Sequence, residues 1–120
     1  MDPEITYNGL KKIALEEFPD ITISASISRG PFNIAKSLRI FFIDNSFLDV
    51  WISIDKYSYH WQKTNRKIYR YDNAPHKKHK KLPTFPKHFH EDKIVKESYL
   101  SDDPSKAIKE ILQFIRINLK

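Results

Sequence analysis

Cysteine is absent from the 120 residues. That excludes disulfides, thiolate nucleophiles and cysteine-based zinc sites. It fits a reducing compartment, and the expected location is the cytoplasm. No apolar run approaches the ~20 residues that a membrane-spanning helix needs. Met1-Asp2-Pro3-Glu4 does not read as a signal peptide, so no membrane is expected among the partners. There is no internal repeat, no linker, no low-complexity tail, and no HExxH or CxxC motif. The most local absence is of acid. Between Asp72 and Glu91 there is no Asp or Glu but there are five lysines, so this window carries +5 of the net +6.

What is present is globular in character. Hydrophobic residues make up 40% of the chain and aromatics 13%, more than a disordered chain carries. The length predicts one domain spanning residues 1–120, large enough to bury about two-thirds of its unfolded surface. A pI near 9.5 points to a polyanionic partner.

Asp2-Pro3 reads as an N-cap and first-turn proline. A helical stripe follows at Ile5, Leu10, Ile13, Ala14 and Phe18, and Pro19 stops it. Ile21, Ile23, Ala25 and Ile27 alternate with Thr22, Ser24, Ser26 and Ser28, which predicts a half-buried strand. Four more strands are expected over Leu38–Ile43, Phe47–Ile54, Tyr57–Lys63 and Lys67–Asp72, with a short last one at Ile94-Val95. The connections are short, as in an antiparallel meander. Asp103-Pro104 opens a second helix striped by Ile108, Ile111, Leu112, Ile115 and Leu119. The expected fold is α+β: a meander of five to six strands packed against N- and C-terminal helices as a two-layer sandwich, with the other sheet face free. Polar strand residues would collect on that free face.

Strand parity sorts the candidates. Tyr57, Tyr59 and Trp61 share one face, and Ser58, His60 and Gln62 the other. Tyr57, Tyr59, Tyr69 and Tyr71 read as packing residues, not base-stacking platforms. Ile68, Arg70 and Asp72 share a face, so antiparallel pairing sets His60 beside a guanidinium and a carboxylate, with Arg39 and Asp49 on neighbouring strands. Asp72 has two readings: a strand terminator that bonds the backbone two residues on, or the acid that holds an imidazole in one tautomer. His88 and His90, spaced i, i+2, point the same way in an extended segment. His76, just past the strand end, converges with them in the expected arrangement. His79 lies amid lysines and reads as part of the basic surface.

Convergent histidines suit general acid–base chemistry, because one imidazole takes a proton while another gives one. Cleavage of RNA through its 2′-hydroxyl needs that pair and a cation for the phosphorane. The expected catalytic set is His88, His90, His76, Arg70, Asp72 and His60. Lys77, Lys78, Lys80, Lys81 and Lys87 are the expected nucleic-acid contacts. No metal is assigned; a site built from His76, His88 and His90 is the alternative.

Three segments together resemble the TumE-like family of toxins from toxin–antitoxin modules: Tyr57-Ser58-Tyr59-His60-Trp61-Gln62, Arg70-Tyr71-Asp72-Asn73-Ala74-Pro75-His76, and Thr84-Phe85-Pro86-Lys87-His88-Phe89-His90. Glu97-Ser98 and the run Ser101–Arg116 are similar too, so the resemblance covers roughly residues 38–117. Lys77 and Lys87 stand where family members often carry further histidines. The resemblance implies a growth-inhibiting toxin restrained by a cognate antitoxin protein. Joined to the residue reading, it predicts a small basic histidine-dependent endoribonuclease with RNA as substrate and a homodimer as one assembly option. The alternatives are a non-catalytic nucleic-acid-binding module and a metal-dependent hydrolase or nucleotidyl-type enzyme.

Overall fold

The computed structural model describes residues 1–119. Both helices start where the sequence signals them. Asp2 accepts from the amides of Glu4 at 2.9 Å and Ile5 at 3.4 Å, and Pro3 opens α1 (Pro3–Glu17). Asp103 accepts from Ser105 N at 3.4 Å, and Pro104 opens α2 (Pro104–Asn118). Between them run β1 (Thr22–Arg29), β2 (Ala35–Phe42), β3 (Phe47–Ile52), β4 (Tyr57–Gln62), β5 (Ile68–Asp72), β6 (His88–Glu91) and β7 (Ile94–Glu97). They form one sheet in chain order, every neighbouring pair antiparallel. The strand count exceeds the expected five to six, because the extended His88–Glu91 segment pairs with β5 on one side and β7 on the other. Among the described residues no helix is long and apolar enough to cross a membrane.

The helices cover one face of the sheet. Leu38, Ile40, Phe42, Leu48, Val50, Ile52, Tyr59, Trp61 and Tyr69 are buried there beneath Ala107, Ile108, Ile111, Leu112 and Ile115 of α2. Phe114 of α2 meets Trp61, Tyr69, Tyr71 and Phe89 edge-on, with centroids 5.2–6.3 Å apart. The tyrosines expected to pack therefore do so. Three apolar assignments change. Ile5 is 72% exposed, and Tyr7 is buried instead, donating to Lys36 O and accepting from Ile52 N, both at 2.9 Å. A bulge between Thr22 and Ser24 makes Ile23 the unpaired residue and turns it out to solvent. β3 ends at Ile52, which leaves Ile54 exposed in the turn.

The opposite face carries two polar rows. Arg39, Asp49, His60, Arg70 and His90 pair in succession from β2 to β6. Trp51, Ser58, Asp72 and His88 form the adjoining row. This face is not bare throughout. The segment 73–87 returns across its β5–β6 end, and the 3₁₀ turn Lys77–His79 brings the His79 ring to 5.0 Å from that of His88.

Candidate active site

The site is assembled at the end of β5. Asp72 ends the strand and accepts from Ala74 N at 3.2 Å through Oδ1, the local turn that an Asp at this point favours. Asn73 fixes the same corner: its Oδ1 accepts from Tyr57 N at 2.9 Å and its Nδ2 donates to Asp55 O at 3.0 Å. At the far end of the loop, Thr84 Oγ1 donates to Lys87 O at 2.7 Å and accepts from Ser98 N at 2.9 Å. Both ends of segment 73–87 are thus tied to the sheet, and the loop is held over the polar rows.

Asp72 is the hub. Its carboxylate is buried, and Arg70 Nε donates to Oδ2 at 2.9 Å. His88 Nε2 lies 2.6 Å from Oδ1, and His90 Nε2 lies 3.5 Å from Oδ2. Asp72 thus forms the expected turn, and two imidazoles lie beside its carboxylate. His88 is 1% exposed, and its Nδ1 sits 2.8 Å from Pro86 O. A carbonyl only accepts, so Nδ1 carries a hydrogen. Arg70 Nη2 lies 3.3 Å from His90 Nε2; guanidinium only donates, so this nitrogen holds a lone pair.

The neighbourhood favours neutral rings. Burial, then the Arg70 guanidinium, pushes His90 down to about 4. Burial and then His88 lower His79. His60 is lowered too, chiefly by burial and secondarily by Arg70. Neutral imidazoles offer lone pairs to a proton or a metal at pH 7.

Of the expected site residues, the fold brings Arg70, Asp72, His88 and His90 into contact. His76 is exposed at the rim, its ring centroid 6.0 Å from that of His88. His60 stands beside Arg70 in the row but lines a separate groove of ≈ 380 Å³ with Arg39, Asp49 and Trp51. Lys77, Lys78, Lys80 and Lys81 are exposed on the covering loop, whereas Lys87 is partly buried and 3.5 Å from Asp102. The residue misread is His79. It belongs to the cluster, not to the basic surface. His79, His88 and His90 hold ligand nitrogens all within 4.8 Å of one another, so His79 replaces His76 in the alternative metal set. The cleft beside Asp72 is a groove of ≈ 240 Å³ lined in part by Trp51, Ser58, Arg70, Asp72 and His76. A roomier cavity of ≈ 620 Å³, lined in part by Tyr57, Tyr59, Lys87 and Asp102, contains no histidine.

Fold and site together define a small basic α+β protein with a histidine–carboxylate–arginine centre on its sheet. A family model described as Toxin TumE matches residues 11–119, and the chain belongs to that family, the toxin component of a toxin–antitoxin module. A cognate antitoxin is accordingly its partner. The match starts well before the three motif segments and takes in the second half of α1, from residue 11, and all of β1. No curated protein and no solved structure matches the chain.

Proposed function

We propose that this toxin is an endoribonuclease whose reactive centre is the cluster around Asp72. The observation that carries the reading is the meeting of three roles in one place. His79 and His90 are held neutral, Arg70 stands at the Asp72 carboxylate, and the covering loop carries four exposed lysines without an acid. Attack of a 2′-hydroxyl on its neighbouring phosphate needs an acceptor for the hydroxyl proton, a cation on the phosphorane and a donor for the leaving oxygen. The neutral imidazoles supply the acceptor side, directly or through a water they hold. Arg70 supplies the cation and the exposed His76 the donor. His88 is too buried to touch a substrate, and serves with Asp72 to orient the others. Lys77, Lys78, Lys80 and Lys81 draw in the phosphate backbone.

The test is growth inhibition and RNA cleavage by matched variants. His90→Ala abolishes both while circular dichroism and the melting transition stay those of a folded protein. Products end in 2′,3′-cyclic phosphates. Full toxicity of His88→Ala and His90→Ala alike overturns the proposal. RNA binding with no products at any protein concentration supports a non-catalytic binding module instead.

A further inference from the structure

Two ring nitrogens in the cluster have no hydrogen-bond partner. These are His79 Nε2 and His88 Nε2, both buried. Nδ1 of His88 donates to Pro86 O, so Nε2 is the ring atom that faces the cluster. That nitrogen is 2.6 Å from Asp72 Oδ1, yet the contact is not aligned as a hydrogen bond. Two buried imidazole nitrogens without a hydrogen-bond partner, beside a carboxylate and a third imidazole, have the form of a cation site.

We propose that His79, His88 and His90 bind one divalent transition-metal ion, with Asp72 as the carboxylate beside them. The donor set selects the ion. Three imidazoles and one carboxylate suit Zn²⁺ or a neighbouring first-row metal, whereas Mg²⁺ and Ca²⁺ prefer oxygen alone. The spacing also fits. Tetrahedral Zn²⁺ with bonds of about 2.0–2.1 Å separates its ligand nitrogens by roughly 3.3 Å. The three nitrogens already lie within 4.8 Å of one another, close to that spacing.

The surroundings have the form expected of metal-ligating histidines. His88 is locked by a backbone carbonyl through its other nitrogen. An ion bonded to His90 Nε2 takes the lone pair that Arg70 Nη2 now meets at 3.3 Å, which frees that N–H for a phosphate oxygen. The ion, Arg70 and the lysine loop together outweigh the one carboxylate, so the loaded site attracts anions.

The ion would occupy rings that the RNA reading uses as proton acceptors, so ion binding is read on the protein alone. The full chain is stripped with chelator, dialysed and titrated with Co²⁺ and then Zn²⁺. One ion per chain is expected, with the visible absorption of a four-coordinate N/O Co²⁺ site that Zn²⁺ bleaches, and a melting temperature that rises with added Zn²⁺. His79→Ala weakens Zn²⁺ binding at least ~10-fold, the lower end of losses seen for groups that support a metal. His76→Ala changes it less than about threefold by the same yardstick. Both residues lie on the covering loop, so both variants keep the core, as circular dichroism checks. Absence of one-to-one binding, or equal weakening by both variants, overturns the site. Ion binding without RNA cleavage leaves the site standing and removes the endoribonuclease; cleavage by a chain that binds no ion does the reverse.

Discussion

Two carboxylates on the outward face test whether distance or burial sets the strength of its ion pairs. Asp49 accepts twice from Arg39, at 2.7 and 2.8 Å. Asp72 accepts once from Arg70, at 2.9 Å. By distance and number of contacts, Asp49 makes the stronger pair. By burial the order reverses: the Asp49 side chain is 40% exposed and that of Asp72 9%. An exposed pair contributes about 0.2–1 kcal/mol, so Asp49→Asn is expected to cost less than ~0.5 kcal/mol, since the amide keeps one acceptor. Breaking a buried pair costs about 3–5 kcal/mol. Arg70 is 39% exposed and recovers part of that in water. Asp72→Asn is therefore expected to cost about 2 kcal/mol. With a urea m-value near 1.5–2 kcal/mol/M, the midpoint falls by about 1 M for Asp72→Asn and by less than ~0.3 M for Asp49→Asn. Urea unfolding followed by tryptophan fluorescence, in chelator so that no ion adds stability, reads both values. Equal shifts, or a larger one at Asp49, refute the argument from burial.

The His90 ring titrates near 4 when folded and near 6.5 when free. Between those values the unfolded chain holds the extra proton, so stability falls as pH drops from about 6.5 to about 4, by roughly 1 kcal/mol once partial exposure is discounted; His90→Gln, unfolded by urea at several pH values in chelator, loses that slope. Ser46→Ala orphans the buried Trp61 indole, whose Nε1 donates to Ser46 Oγ at 2.9 Å. It is expected to cost about 1–3 kcal/mol in thermal unfolding, with growth inhibition intact below the transition. Replacing Lys77, Lys78, Lys80 and Lys81 with Gln lowers the salt slope of RNA binding by about 3 if each lysine holds one phosphate, measured by filter binding across salt. Lys87→Gln, already paired with Asp102, leaves the slope nearly unchanged.

Much of this was legible in the chain because its signals are local. Asp2-Pro3 and Asp103-Pro104 place both helix starts. Period-two patterning in β4 and β5 turns Tyr57, Tyr59 and Trp61 to the core, and His60, Arg70 and Asp72 away from it. What escaped depends on distant partners. Tyr7 is buried because the carbonyl of Lys36 and the amide of Ile52 meet its hydroxyl, and neither is visible from the helix. The bulge at Ile23 is a property of two strands, not one. His79 was hidden by its own neighbours. Among lysines it reads as surface, and only closure of the 73–87 loop over β5 and β6 turns it inward. A loop residue's position follows from how both ends are tied, which spacing does not encode.

The aromatic stack beneath β6 also orders events in time. The histidines stand on strands whose other face, at Tyr69, Tyr71 and Phe89, rests on Phe114 of α2. At synthesis rates of 5–20 residues per second, the 24 residues from His90 to Phe114 take about 1–5 s to make. Throughout that interval every group of the centre exists and its support does not.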